Sequence, residues 1–165
     1  MRRGRLILGV DPGVASTGVA VVTEKDGRYA SVAYDCIRTS PKDPFPDRLA
    51  LLHGECRRLV DLHRPDALAM ERLFFARNAR TAIAVGQAQG ALLLAVAGTK
   101  IEVFMYTPME VKMAVTGDGR AEKSEVALMI QKILGLDCIP RPDDASDALA
   151  IAYCHLVSTR MCGRT

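Results

Sequence analysis

Four carboxylates in this sequence are placed so that they could meet. Asp11 ends the apolar run "LILGV", Glu71 ends "ALAM", and Asp144 and Asp147 stand three apart just ahead of "ALAIA". Within "LILGVDPGVASTGVAVV", residues 6–22, Asp11 is the only charge. Carboxylates crowded together repel and raise one another's pKa values. A divalent cation removes that conflict. Oxygen donors with no His or Cys at ligand spacing suit Mg²⁺ or Mn²⁺ rather than zinc. Two such ions about 3.5–4 Å apart fit phosphodiester hydrolysis, one activating water and the other stabilising the leaving 3′ oxygen. Each acid also has a plainer reading. Asp11-Pro-Gly could start a turn. Glu71 could be a surface residue at a strand end. Asp144 could cap a helix with Asp147 at its third position.

The elements that must carry these acids can be read from periodicity. Three strand-like runs, 6–10, 18–23 and 29–37, open the chain, and "KDGR" between the second and third holds an Asp-Gly hairpin turn. "TSPKDPFPD", 39–47, reads as a loop. Leu49, Leu52, Cys56, Leu59 and His63 then recur at helical spacing, predicting a helix over 47–63. A short strand over 67–71, a long helix over 78–98 and a strand over 101–106 follow. Thr107 as N-cap, Pro108 and Glu110 announce another helix. The last two helices are expected over 121–136 and 145–160, with "IPRPDD" between them as a break. A meander followed by βα units implies a mixed five-stranded sheet, part antiparallel and part parallel, with helices on both faces. That is the pattern of a ribonuclease-H-like fold. Sites in such sheets form at the carboxyl ends of parallel strands. Asp11 and Glu71 both sit there, and the last helix could bring Asp144 and Asp147 to the same edge. This common edge favours the metal reading over the plainer ones.

Composition fits an enzyme of this class without specifying it. The 165 residues are expected to form one domain over 1–165, with a flexible basic leader over 1–4 and a flexible tail over 161–165. They are 49% hydrophobic and only 5% aromatic, so the core must be mostly aliphatic. The net charge of +3 is compatible with nucleic acid. Five scattered cysteines, none in a CxxC pair, argue for reduced core fillers and a cytoplasmic protein. The longest apolar stretches are too short for a signal peptide or a membrane span.

Four blocks together, "ILGVDPGVASTGVAVV", "MERLFFARNARTAIAVGQAQG", "VKMAVTGDGRAEKSEVALMI" and "DDASDALAIA", resemble the RuvC family of Holliday-junction resolvases. The resemblance implies a homodimeric, Mg²⁺-dependent bacterial endonuclease that nicks opposed strands of a four-way junction. It also implies action alongside the branch-migration proteins RuvA and RuvB. It makes Asp11, Glu71, Asp144 and Asp147 the catalytic metal ligands, and selects Asp144 over its neighbour Asp143, which is left as a solvated loop residue. It matches Phe74 to an aromatic that stacks on exposed bases, with Arg77 and Asn78 within reach of phosphate. Lys112 and Lys123 match lysines near the scissile phosphate and the DNA backbone, and Arg120 adds a charge beside them. Ala82, Gly86 and Gly90 form a row of small residues on one helix, which the resemblance assigns to the dimer interface. The three histidines match no functional position and read as structural.

Three other readings share parts of this pattern. A ribonuclease-H-like nuclease acting on RNA or hybrid would carry the same acids. An actin-like ATP-binding domain resembles "DPGVASTG" but needs a second phosphate loop and about twice the length. A junction-binding module without catalysis would have lost an acid.

Overall fold

The computed structural model describes residues 4–72 and 79–162. Five strands, β1 (Arg5–Asp11), β2 (Ser16–Lys25), β3 (Arg28–Arg38), β4 (Ala67–Glu71) and β5 (Glu102–Tyr106), form one sheet in the order β3-β2-β1-β4-β5. β1 is antiparallel to β2, and β2 to β3. β4 runs parallel to β1 and to β5. This is the mixed sheet expected from the sequence. The Asp-Gly signal does form the hairpin: Asp26 and Gly27 adopt φ of 53° and 78°, and Lys25 pairs with Arg28.

The period-2 alternation of the strands sorts two cores. Leu8, Val10, Val19, Val21, Leu68 and Met70 face α1 (Phe45–His63) and α2 (Ala79–Val96). Ile7, Ala20, Val22, Ala67 and Ala69 face the other side, where α3 (Pro108–Thr116), α4 (Lys123–Leu134) and α5 (Asp143–Cys162) lie. The same alternation continues through Gly9 to Asp11 and through Ala69 to Glu71, so both carboxylates emerge on the α5 side.

α5 lies directly on the backbone of β1 and β2. A Cβ at Gly9 would fall well inside the contact distance of the Ala148 carbonyl oxygen, and one at Gly18 inside that of Asp144. The helix can come this close only because both positions lack a side chain. Deeper along α5, His155 is buried with its Nδ1 2.8 Å from the Tyr106 hydroxyl, and its ring packs on Phe104. Burial, helped by the charge of Arg5, lowers its pKa to about 4. The imidazole is thus held neutral and enclosed, bonded to a phenol.

Several boundaries differ from expectation. α1 starts at Phe45 rather than 47, because Pro44 serves as N-cap and Pro46 occupies the first turn, where its missing N–H has no partner to lose. α3 forms with the expected capping box, Glu110 N–H donating to Thr107 and Thr107 N–H donating to Glu110. α4 starts at Lys123 rather than 121, because Glu122 is its N-cap and Glu125, in its first turn, completes a second capping box. α5 begins at Asp143, inside the stretch read as a break. The Pro142 carbonyl already accepts from the N–H groups of Ala145 and Ser146. The cysteines are not uniformly core fillers: Cys56 and Cys154 are buried, Cys36 is half-buried and Cys138 is exposed. α5 runs to Cys162; residues 1–3 and 163–165 lie outside the described residues.

Candidate active site

Asp11 ends β1 and Glu71 ends β4. The last paired rung between these strands is Val10 with Met70, so the two acids project one step beyond it. Asp144 and Asp147 lie in the first turns of α5, three residues apart and therefore on one helix face. Asp144 is the second residue of the helix and not its cap, which removes the plainer reading of that pair. Carboxylate oxygens of Asp11, Asp144 and Asp147 lie within 4.8 Å of one another. Asp11, Glu71 and Asp147 also line one cleft of about 150 Å³, together with Lys112 and Lys123. The set is all oxygen, contains no His or Cys, and could hold a hard divalent cation.

The electrostatics show charge in need of a counter-ion. Burial pushes the Asp11 pKa up to about 8, and the charges of Glu71, Asp147 and Asp144 push in the same direction. Glu71 is raised too, by burial and then by Asp147. Lys123 opposes both shifts. Its ammonium donates to Asp147 at 2.8 Å, and that bond raises its own pKa. Among the described residues, Lys123 thus neutralises part of the charge of these four acids.

Lys112 is half-buried in the wall of the cleft, whereas Arg120 is exposed in the loop between α3 and α4 and does not line it. Phe74, Arg77 and Asn78 lie outside the described residues. Ala82 and Gly86 are half-buried on α2 and Gly90 is exposed, and among the described residues nothing beyond its own stretch of helix lies within 4 Å of where its Cβ would sit. α2 packs on the sheet face opposite α5, away from the acids.

Other residues place the acids and were not singled out from the sequence. Gly18 pairs with Asp11 across β1 and β2 and touches the backbone of Asp144, so it sets the spacing of those two acids. Its one available signal was a glycine in an otherwise apolar strand. Gln89, buried on α2, reaches through to donate to the Glu71 carbonyl at 3.4 Å. The loop after Asp11 is braced by Thr17, whose hydroxyl bonds the Gly13 carbonyl, and by Thr39, which bonds the Val14 carbonyl at 2.6 Å. Cys36 pairs with Gly18 and lies close enough to Asp144 for that charge to raise its thiol pKa, after burial.

A mixed β3-β2-β1-β4-β5 sheet between helical layers, with carboxylates at the ends of its first and fourth strands and on its last helix, defines a ribonuclease-H-like nuclease. Comparison with known proteins narrows the class. Residues 7–155 match the family model described as "Crossover junction endodeoxyribonuclease RuvC". The crossover junction endodeoxyribonuclease RuvC of Pelotomaculum thermopropionicum is 49% identical over 150 residues, covering 91% of this chain and 92% of its own length. The structure of Thermus thermophilus RuvC superposes with a TM-score of 0.89 at 39% identity, covering 95% of this chain and 96% of that one. T. thermophilus RuvC in complex with Holliday junction substrate gives 0.87 at 36% identity, over 94% and 96%. The chain belongs to the RuvC family of crossover junction endodeoxyribonucleases. Among the described residues, no helix is long and apolar enough to cross a membrane.

Proposed function

We propose that this chain resolves four-way DNA junctions in the bacterial cytoplasm by nicking two opposed strands with metal-activated water. The convergence of Asp11, Asp144 and Asp147 within 4.8 Å, with Glu71 in the same cleft, carries this reading. The likeness to a RuvC solved with its junction substrate supports the choice of DNA.

In this reading Asp11, Glu71, Asp144 and Asp147 hold two Mg²⁺ ions, and Mn²⁺ substitutes for them. The donor set fits, because it is all carboxylate and carries more negative charge than Lys123 alone can balance. When bound, the ions supply a nucleophilic water and neutralise the leaving 3′ oxygen, giving 5′-phosphate and 3′-hydroxyl ends. The protein contributes position. β1 and β4 hold Asp11 and Glu71 rigidly at the sheet edge, and the contact of α5 on Gly18 fixes Asp144 against them. Lys112 and Lys123 offer ammonium groups to the non-bridging oxygens of the scissile phosphate. Arg120 lies on the path of the flanking backbone. Phe74 stacks on an unpaired base, with Arg77 and Asn78 beside it on phosphate.

A junction with two-fold symmetry calls for two active sites related by a two-fold axis. The proposed homodimer interface is on α2, where Ala82, Gly86 and Gly90 allow close approach and Ile83 and Leu94 expose apolar surface. RuvA and RuvB are the proposed partners at the junction. The test is incubation with end-labelled four-way junction, linear duplex and RNA–DNA hybrid, with and without Mg²⁺. The expected result is Mg²⁺-dependent nicking of the junction at opposed positions. Equal cleavage of the hybrid would overturn the substrate assignment.

A further inference from the structure

A second cleft, of about 180 Å³, lies beside the carboxylate cleft, between the start of α4 and the first turns of α5. The two clefts share Lys123 and Asp147, so the wall between them is one ion pair. We infer that this second cleft seats a DNA phosphate next to the one that is cut, held by Arg141 and Ser146. The inference rests on the junction-cleaving function proposed above.

The chemistry of the lining selects such a ligand. Its two acids already have cations: Asp143 accepts from Arg141 at 2.6 Å and Asp147 accepts from Lys123 at 2.8 Å. The uncommitted groups are donors. A guanidinium has five N–H bonds and an ammonium three, and each uses one here. Ser146 is only 4% exposed and lines the cleft. Ser124 adds a second hydroxyl at the rim. A phosphodiester offers acceptors only, and its charge is opposite to that of Arg141. Ala127 and the 38% exposed Ile139 give the cleft an apolar side suited to a deoxyribose. The Arg141–Asp143 pair is solvent-exposed, and such pairs are weak enough for the guanidinium to turn to a phosphate. Asp143 then has a role: it parks Arg141 over the cleft while DNA is absent.

The test is junction binding in chelator, followed by fluorescence anisotropy, with wild type, Arg141→Gln and Ser146→Ala. Junctions carry either native phosphates or one neutral methylphosphonate, stepped along the cleaved strand. Arg141→Gln should weaken binding of the native junction by roughly 2- to 10-fold, the range for one such contact. It should lower the slope of log K against log salt by about 1. Its penalty should vanish on the junction whose methylphosphonate flanks the scissile position, and persist on the others. Ser146→Ala should show the same position dependence with a smaller loss. A native affinity for Arg141→Gln, or a penalty that survives every methylphosphonate, overturns the inference. A wild-type protein that binds junction no better than duplex would instead sink the proposed function on which it rests.

Discussion

Replacing Asp11 by Asn should stabilise the metal-free protein and abolish cleavage. Folded, Asp11 keeps its proton up to about pH 8; unfolded, it releases it near 3.8. Between those values the folded state binds more protons, so its stability falls as pH rises through the window. At pH 7 the gap spans about three pH units, and at ~1.4 kcal/mol each the ceiling is about 4 kcal/mol. Asp11 lines a cleft open to solvent, where the effective dielectric is far above that of a dry interior. A realistic gain is therefore about 1–3 kcal/mol. For a chain of this size that is roughly 3–10 °C in Tm. Asn keeps the shape and removes the charge, so packing should be unchanged. The assay is calorimetry in chelator from pH 4 to pH 8.5. The Tm difference between Asp11→Asn and wild type should be near zero at pH 4 and largest at pH 8 to 8.5. Added Mg²⁺ should reverse the order, because wild type gains binding energy that the variant lacks. A variant less stable than wild type at pH 8 in chelator, or a difference independent of pH, would refute the reading of Asp11 as an electrostatically strained ligand.

Three other outcomes follow from the packing. Gly18→Ala should force α5 away from β2, costing about 1–3 kcal/mol by overpacking and reducing cleavage far more than junction binding; an active, fully stable variant would show that the contact on Asp144 does not set the site. His155 should contribute a loss of up to about 3 kcal/mol as pH falls from 6.5 to 4, since the unfolded imidazole takes up a proton that the buried one refuses; in urea titrations the stability of wild type relative to His155→Gln should fall by that amount across the window. Ile83→Glu together with Leu94→Glu should leave Tm nearly unchanged and yield monomers by light scattering at micromolar protein. Dimers that persist in that variant would place the interface elsewhere.

Most of the fold was legible because local chemistry decides it. Alternation with period 2 marks β1 and β4, Asp26-Gly27 requires the positive φ of the hairpin, and Thr107 with Glu110 satisfies the first N–H groups of α3. The placement of Asp11 and Glu71 at strand ends follows from the same alternation, which also puts them on one face. What the sequence could not decide is how closely α5 lies against that face. The approach depends on Gly9 and Gly18 meeting carbonyls more than a hundred residues away, and no local pattern encodes that distance. The start of α5 was missed for a related reason: "RPDD" reads as a break, yet the Pro142 carbonyl begins the helix and carries Asp144 into its first turn. The pairing of Lys123 with Asp147, and the second cleft behind it, likewise exist only after α4 and α5 have packed. Acid identity and strand-end position were properties of the sequence, whereas the distances that turn four acids into one charged cluster were set by tertiary contact.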